Sequence, residues 1–176
     1  MSDRESRFTL VDISKSLPQH RAAVEHFVAC LGPEKAQFDL TLPRVDESMM
    51  VVVAYIDDQI VGLCGVEGHR LFPKGYIIVS RSHQGQGLAK TLLEYRHKIA
   101  SEIFDTMIYV IHEDNTQSHR VHRSFGARYI GRRWQLHYYG TPYNLKGKFW
   151  QSLIKLAFPV VRIADSLTRP TNRNRK

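Results

Sequence analysis

The sequence predicts an α/β (α+β) fold: a mixed, mostly antiparallel central sheet flanked by helices, followed by a C-terminal amphipathic helix. Two observations lead there. Strand-like runs rich in Val, Ile and Tyr alternate with segments of helical period, which calls for parallel strands. An early hairpin-like pair and a late strand pair call for antiparallel ones. The boundaries read as a folded domain over 1–143, a basic amphipathic helix over 144–168 and a disordered basic tail over 169–176.

Taken in chain order, RFTLVD (7–12) makes a first short strand. Ser16 and Pro18 mark a helix start, and Val24, Phe27, Val28 and Leu31 form its apolar stripe, ending at Gly32-Pro33. A second short helix is expected over 34–42. MMVVVAYIDDQIVGLCGV (49–66) reads as two strands joined at Asp57-Asp58-Gln59. GHRLFPKG then reads as a turn-rich connection and GYIIVS (75–80) as a buried strand. From Leu88, apolar residues at 88, 89, 92, 93, 99, 100, 103 and 104 suit a helix. TMIYVIH (106–112) returns to strand, a short helix covers 116–125, and strands near 127–132 and 133–139 complete the domain. The two β-α-β passages around the fourth and fifth strands imply parallel neighbours.

With 176 residues, 43% of them hydrophobic, the chain can bury one substantial core. Cys30 and Cys64 stand far apart with no C-x-x-C, which argues against a disulfide framework or a cysteine zinc site and fits a reducing compartment. The polar start MSDRESRFTL lacks the apolar segment of a signal peptide, and no apolar run of the roughly 18 residues a membrane span needs occurs, so a cytoplasmic location is expected. The net charge of +8 divides unevenly: residues 1–140 carry +1 and residues 141–176 carry +7, with Asp165 the only acid in the latter. Any electrostatic partner therefore belongs to the C-terminal segment.

The stretch SRSHQGQGLAKTLL (80–93) falls between a strand and a helix. A helix N-terminus presents unpaired backbone N–H groups and partial positive charge, and glycines there let an anion approach. A Gly-x-Gly alone suits an ordinary strand-to-helix loop equally well. Neither G-x-x-x-x-G-K-[ST] nor G-x-G-x-x-G is present, since Lys90 holds the third glycine position. The spacing Gln84-x-x-Gly87-x-Ala89 does resemble the Q/R-x-x-G-x-G/A signature of the GNAT superfamily, the acyl-CoA-dependent N-acyltransferases. Downstream, NTQSHRVHRSFGA (115–127) is similar to that family's motif Asn-x-x-Ala/Ser-x-x-x-Tyr-x-x-x-Gly-Phe. Asn115, Ser118 and Gly126 fall in register, while His122 stands where Tyr is usual and Ala127 where Phe is usual. The hairpin with Gly62 after its Ile-Val pair also resembles the family's second and third strands, so the likeness spans about residues 8–139.

The resemblance implies direct transfer of an acyl group, acetyl above all, from acyl-CoA to a primary amine with no covalent enzyme intermediate. It implies that the backbone from Ile77 to Val79 holds pantetheine in a gap between the fourth and fifth strands, where an N–H can polarise the thioester oxygen. Gln84, Gly85, Gln86, Gly87, Leu88 and Ala89 would take the pyrophosphate, and Asn115 and Ser118 would contact the cofactor arm. His122, in the place of the family's proton-donating Tyr, can protonate the leaving sulfur; a packing role, with water as the acid, is the alternative. The central strand stretches YIIV and YVI contain no carboxylate to act as base. Of the neighbouring candidates Glu67, His69 and His112, Glu67 is chosen because it should open onto the acceptor side; a solvated strand-end carboxylate is the plain alternative. His119 and His122 form H-x-x-H, but no third ligand stands at a fitting spacing and no metal is expected. A non-catalytic CoA-binding sensor or scaffold is a second reading, and a longer acyl donor or an O-nucleophile a third.

After GTPY, the segment LKGKFWQSLIKLAFPVVRIADSLTR has strong helical patterning. Phe149, Trp150, Leu153, Ile154, Ala157, Val160, Val161, Ala164 and Leu167 share one arc, with Lys148, Lys155, Arg162 and Arg169 opposite. Pro159 should kink or split the helix. An apolar face carrying Trp and Phe against a basic stripe is the pattern of an interfacial membrane helix, so an anionic membrane surface on the inner face of a membrane is one expected partner of residues 145–168. Packing on the chain's own sheet, or against a second copy, is the other. Nucleic acid fits poorly, because the aromatics lie on the apolar face rather than among the charges.

Overall fold

The computed structural model describes residues 8–32 and 41–168. In chain order the elements are β1 (Thr9–Asp12), α1 (Leu17–Cys30), α2 (Leu42–Asp46), β2 (Met50–Ile56), β3 (Gln59–His69), β4 (Phe72–Val79), a 3₁₀ turn (Arg81–His83), α3 (Leu88–Ile103), β5 (Thr106–His112), α4 (Thr116–Ser124), β6 (Arg128–Arg133), β7 (Leu136–Pro142) and α5 (Leu145–Thr168). The seven strands form one sheet ordered β1-β2-β3-β4-β5-β7-β6. The fold class is the expected one. Most of the helix expected over 34–42, and the tail at 169–176, lie outside the described residues; α2 begins at Leu42.

Local chemistry explains the boundaries, including those that differ from expectation. The β2–β3 turn places Asp57 (φ 46) and Asp58 (φ 61) in the left-handed region that a two-residue hairpin demands and that short polar side chains tolerate. GHRLFPKG is less of a loop than its Gly and Pro suggest. β3 runs on to His69 and β4 starts at Phe72, with Glu67 opposite Lys74 and Gly68 opposite Pro73. Cross-strand pairing with a ready partner overrides the local turn signal there. β7 starts at Leu136 rather than 133, after a turn in which Trp134 has φ 51.

Only one of the two expected parallel neighbour pairs forms. β4 and β5 are parallel neighbours through the single pairing Lys74–Ile108. β5 and β6 run in the same direction, but β7 lies between them, antiparallel to both.

Alternation along the strands sorts the core into two layers. Val52, Ala54, Cys64 and Val79 pack against Leu88 and Leu92 of α3. Met50, Val66, Met107, Tyr109 and Tyr139 extend that layer to Ala100 and Phe104. On the other face Val51, Val53, Leu63 and Ile78 meet Val24, Phe27 and Val28 of α1. α5 covers β5, β7 and β6 on this second face: Gln151 Nε2 donates to Thr106 Oγ1 (2.9 Å), and the Phe158 ring lies 5.0 Å from that of Tyr138. The helix continues through Pro159 rather than splitting, and the exposed position leaves the one lost ladder bond to water.

The start of α5 is fastened to the start of β5. Asn144 Oδ1 accepts from the Gly147 N–H (2.8 Å), Asn144 Nδ2 donates to Asp105 Oδ1 (2.8 Å), and Lys146 Nζ pairs with Asp105 Oδ2 (2.7 Å). A Cβ on Gly147 would overlap the Asp105 carbonyl. Gly147→Ala is therefore expected to destabilise by about 1–3 kcal/mol from overpacking. Helix propensity alone would give the opposite sign, a gain of about 0.8–1 kcal/mol. Urea denaturation separates the two.

Candidate active site

At the C-terminal end of β4 the chain turns sharply into α3. Ser80 N–H donates to Val61 O (2.9 Å), a 3₁₀ turn follows, and Gln84 Nε2 reaches back to Val79 O (3.1 Å). Gly85 and Gly87 have φ +77 and +85, and a Cβ on either would meet nothing within 4 Å. Gly87 is the N-cap of α3 and brings no side-chain cap, so the first N–H groups of the helix face an exposed backbone turn. Leu88 anchors the turn with a fully buried side chain; it can offer a ligand only its backbone. The side chains of Ile77 and Val79 pack on α3, so these two residues likewise present backbone alone.

Beyond Lys74–Ile108, β4 and β5 are no longer paired, and an arginine that sequence reasoning missed sits at that parting. Arg96 of α3 is 0% exposed; its Nη1 donates to Tyr76 O of β4 (2.8 Å), and its guanidinium carbon lies 5.2 Å from the ring centroid of Tyr109 of β5. Arg96 Nε and Nη2 are buried and without hydrogen-bond partners. Around it gather His97, Tyr109, His122, Phe125 and Tyr143. His97 bonds the Tyr143 hydroxyl through Nδ1 (2.8 Å) and the Tyr109 hydroxyl through Nε2 (3.3 Å), and stacks on Phe125 at 5.2 Å. The signal for Arg96 was available: a basic residue falls on the apolar stripe of α3 between Leu92 and Ala100.

His122 is 4% exposed, with its ring 4.5 Å from Tyr109 and Nδ1 2.9 Å from Ser118 O. Burial first, and then the positive charge of Arg96, push its pKa down to about 4. The same two causes push His97 down to about 4. Both imidazoles are thus neutral at pH 7. Asn115 is the N-cap of α4, its Oδ1 accepting from Ser118 N–H (3.0 Å), and Ser118 Oγ lies 3.3 Å from His122 Nδ1. Asn115 and Ser118 therefore have clear structural duties in holding α4 and His122.

Glu67 lies on the opposite face, away from His122. It forms a two-pronged ion pair with Arg44 (Nε–Oε2 2.5 Å, Nη2–Oε1 2.8 Å), and Lys74 approaches Oε1 at 3.5 Å. The Arg44 guanidinium also covers the Tyr76 ring at 4.8 Å. These groups line a cleft of about 530 Å³ with Thr41, Pro43 and Glu47. Lys74 thus links the cleft to the last paired position before the strands part. His69 and His112 are set apart from it: His69 Nδ1 accepts from Leu71 N–H (3.2 Å), and His112 pairs with Gln135 (3.1 Å). Among the described residues no group of three or more His, Cys, Asp or Glu is placed to hold a metal.

The chain belongs to the acetyltransferase (GNAT) family, whose model matches residues 19–127, from α1 through the end of α4. Family members transfer acyl groups from acyl-CoA. A comparison with curated protein sequences gives no match. Solved structures share the fold at low identity. The GNAT domain of PAT from S. lividans has 14% identity and a TM-score of 0.63, over 76% of this chain and 89% of that one. A putative acetyltransferase from Acinetobacter baylyi has 17% identity and a TM-score of 0.60, over 77% of this chain and 92% of that one. The putative acetyltransferase yncA from Salmonella typhimurium, solved with its cofactor acetyl-CoA, has 19% identity and a TM-score of 0.50, over 72% of this chain and 73% of that one.

The two lowered histidines set a pH dependence. In the unfolded chain they take up protons near pH 6.5, and in the fold only near 4, so the unfolded state binds more protons in between. Stability is full above about pH 6.5 and falls towards pH 4, with a slope approaching about 1.4 kcal/mol per pH unit per histidine. Denaturation followed across this range should show a shallower slope for His122→Phe. An unchanged slope would contradict the burial of a neutral His122.

Proposed function

We propose that the chain acylates a primary amine, with acetyl-CoA as the simplest donor, by direct attack of the amine on the thioester. The open turn at the head of α3 carries the proposal. Two left-handed glycines clear the space over the first N–H groups of the helix, so the backbone from Gly85 to Ala89 suits a pyrophosphate, and Gln84 braces the turn against β4. The Ile77–Val79 backbone, where β4 has left β5, suits the amides of pantetheine. An N–H there would polarise the thioester oxygen. The family match and the acetyl-CoA in the yncA structure support the same donor class.

The acceptor fits the cleft beside Lys74. Its charged groups balance, Arg44 and Lys74 against Glu47 and Glu67, which favours a polar amine over an apolar one. Both oxygens of Glu67 already accept from cations, so its role is a fixed negative charge that draws an ammonium, rather than the base first expected of it. The ammonium loses one proton to water, and the free nitrogen attacks the carbonyl carbon. The adduct gives up a second N–H proton to water, and the C–S bond breaks to leave CoA thiolate, which takes a proton from water. His122, buried and neutral, serves as packing under the site. Arg96 supplies positive potential beneath the parting, where negative charge develops. The occupied Glu67 is also what a non-catalytic CoA-binding protein would have, and thiol release from acetyl-CoA with a pooled amine library separates the two.

Gly87→Ala places a methyl group over the helix N-terminus at φ +85. It should lower the melting temperature modestly, through roughly 1–2 kcal/mol of left-handed strain, and abolish the thermal shift given by CoA. A CoA shift equal to that of the parent protein would contradict the turn's assignment. Glu67→Gln should raise KM for the amine with little change in kcat. A fall in kcat with unchanged KM would return the role of base to Glu67.

A further inference from the structure

Helix α5 has more apolar surface than its own fold uses. Its inward line is Gln151, Ile154 and Phe158. On the side facing away from the sheet, Leu145 is 81% exposed, Leu156 74% and Phe149 61%. At 100° per residue these three fall within about 40° of one another, forming a crest along the helix. Leu153 borders the crest. Lys148 and Lys155 run along one flank and Lys146 along the other. The apolar surface continues off the helix through aromatic contacts: Phe149 meets Trp150 at 6.2 Å, and Trp150 meets Phe72 of the β3–β4 hairpin at 6.0 Å. Beside the basic flank, Arg128, Lys148 and Lys155 share a cavity of about 200 Å³ that no acidic side chain lines.

From this arrangement we infer that α5 docks the protein on an anionic membrane surface, with the Leu145–Phe149–Leu156 crest entering the headgroup boundary and Lys148 and Lys155 meeting lipid phosphates. Charge complementarity selects this occupant. Residues 141–176 carry +7 while residues 1–140 carry +1, and on the described part of α5 Lys148 and Lys155 flank the crest with Arg128 beside them. A second copy is the poorer match. A two-fold interface sets one patch against itself and would press a surface flanked by Lys148, Lys155 and Arg128 onto a second surface of the same charge. Among the described residues no helix is long and apolar enough to cross a membrane, so α5 lies on the surface. This inference stands on α5 alone and does not need the acyl-transfer proposal.

Flotation of the full chain with vesicles tests it. Binding is expected to phosphatidylcholine vesicles containing phosphatidylserine, to weaken with salt, and to be lost on phosphatidylcholine alone. Leu145→Ser/Phe149→Ser/Leu156→Ser should lose flotation while keeping the melting temperature, because the three side chains are exposed. Lys148→Glu/Lys155→Glu should lose it too, which serves as an independent check if the apolar variant folds poorly. Equal flotation with neutral vesicles, flotation untouched by both variants, or a solution dimer dispersed by Leu156→Ser would overturn the membrane assignment.

Discussion

Between β4 and β5 lies a guanidinium group with no exposed surface. Arg96 bridges the two strands just beyond their only paired position, holding a carbonyl of one and the ring of a tyrosine of the other. Burying a charge without a carboxylate partner costs several kcal/mol even after relaxation. The bond to Tyr76 O and a cation–π contact of roughly 0.5–2 kcal/mol offset only part of that. The rest is offset by the apolar burial of the same elements, Leu88, Leu92 and Leu93 on α3 and Met107 on β5, all at most 1% exposed. Room for it depends on Gly75, where a Cβ would come within 3.0 Å of Arg96 Nη1 and 2.9 Å of the Tyr109 ring. Arg96 thus stands where β4 and β5, paired at Lys74–Ile108, part from each other.

The same charge shapes the chemistry nearby. His97 and His122 share the interior with a permanent cation and stay neutral, tied by hydrogen bonds to Tyr143, Tyr109 and Ser118. A neutral, packed imidazole thus stands in place of the family's tyrosine. On the other face, the Arg44–Glu67–Lys74 network sets a polar cleft at the pairing from which the strands diverge. The polar cleft and the buried Arg96 thus lie at one structural irregularity, the parting of β4 from β5.

How much of this the sequence discloses depends on whether a feature is imposed locally. The turn from Gln84 to Ala89 is legible because left-handed backbone at 85 and 87 demands glycine and the helix start fixes the spacing. The Asp57-Asp58 hairpin is legible for the same reason. Arg96 was passed over because a helix face is read from its apolar members, and a charged residue on the stripe is assumed to point outwards. The partners that make its burial tolerable come from Tyr76 and Tyr109, 20 and 13 positions away, and no local pattern announces them. Glu67 was located correctly in β3, but its engagement with Arg44 depends on α2, whose approach nothing in the strand encodes. For α5 the apolar arc was legible only in part: Phe149 of the arc faces outward, but Leu145 and Leu156 of the exposed crest, and the inward Phe158, fall outside it.

Amide hydrogen exchange, recorded with and without acetyl-CoA, tests most directly whether the opened edge of β4 and the head of α3 form one donor site. Slowed exchange confined to Ile77–Val79 and Gly85–Ala89 is the predicted result. Unchanged exchange at both segments under saturating acetyl-CoA, or protection located elsewhere in the fold, would contradict it.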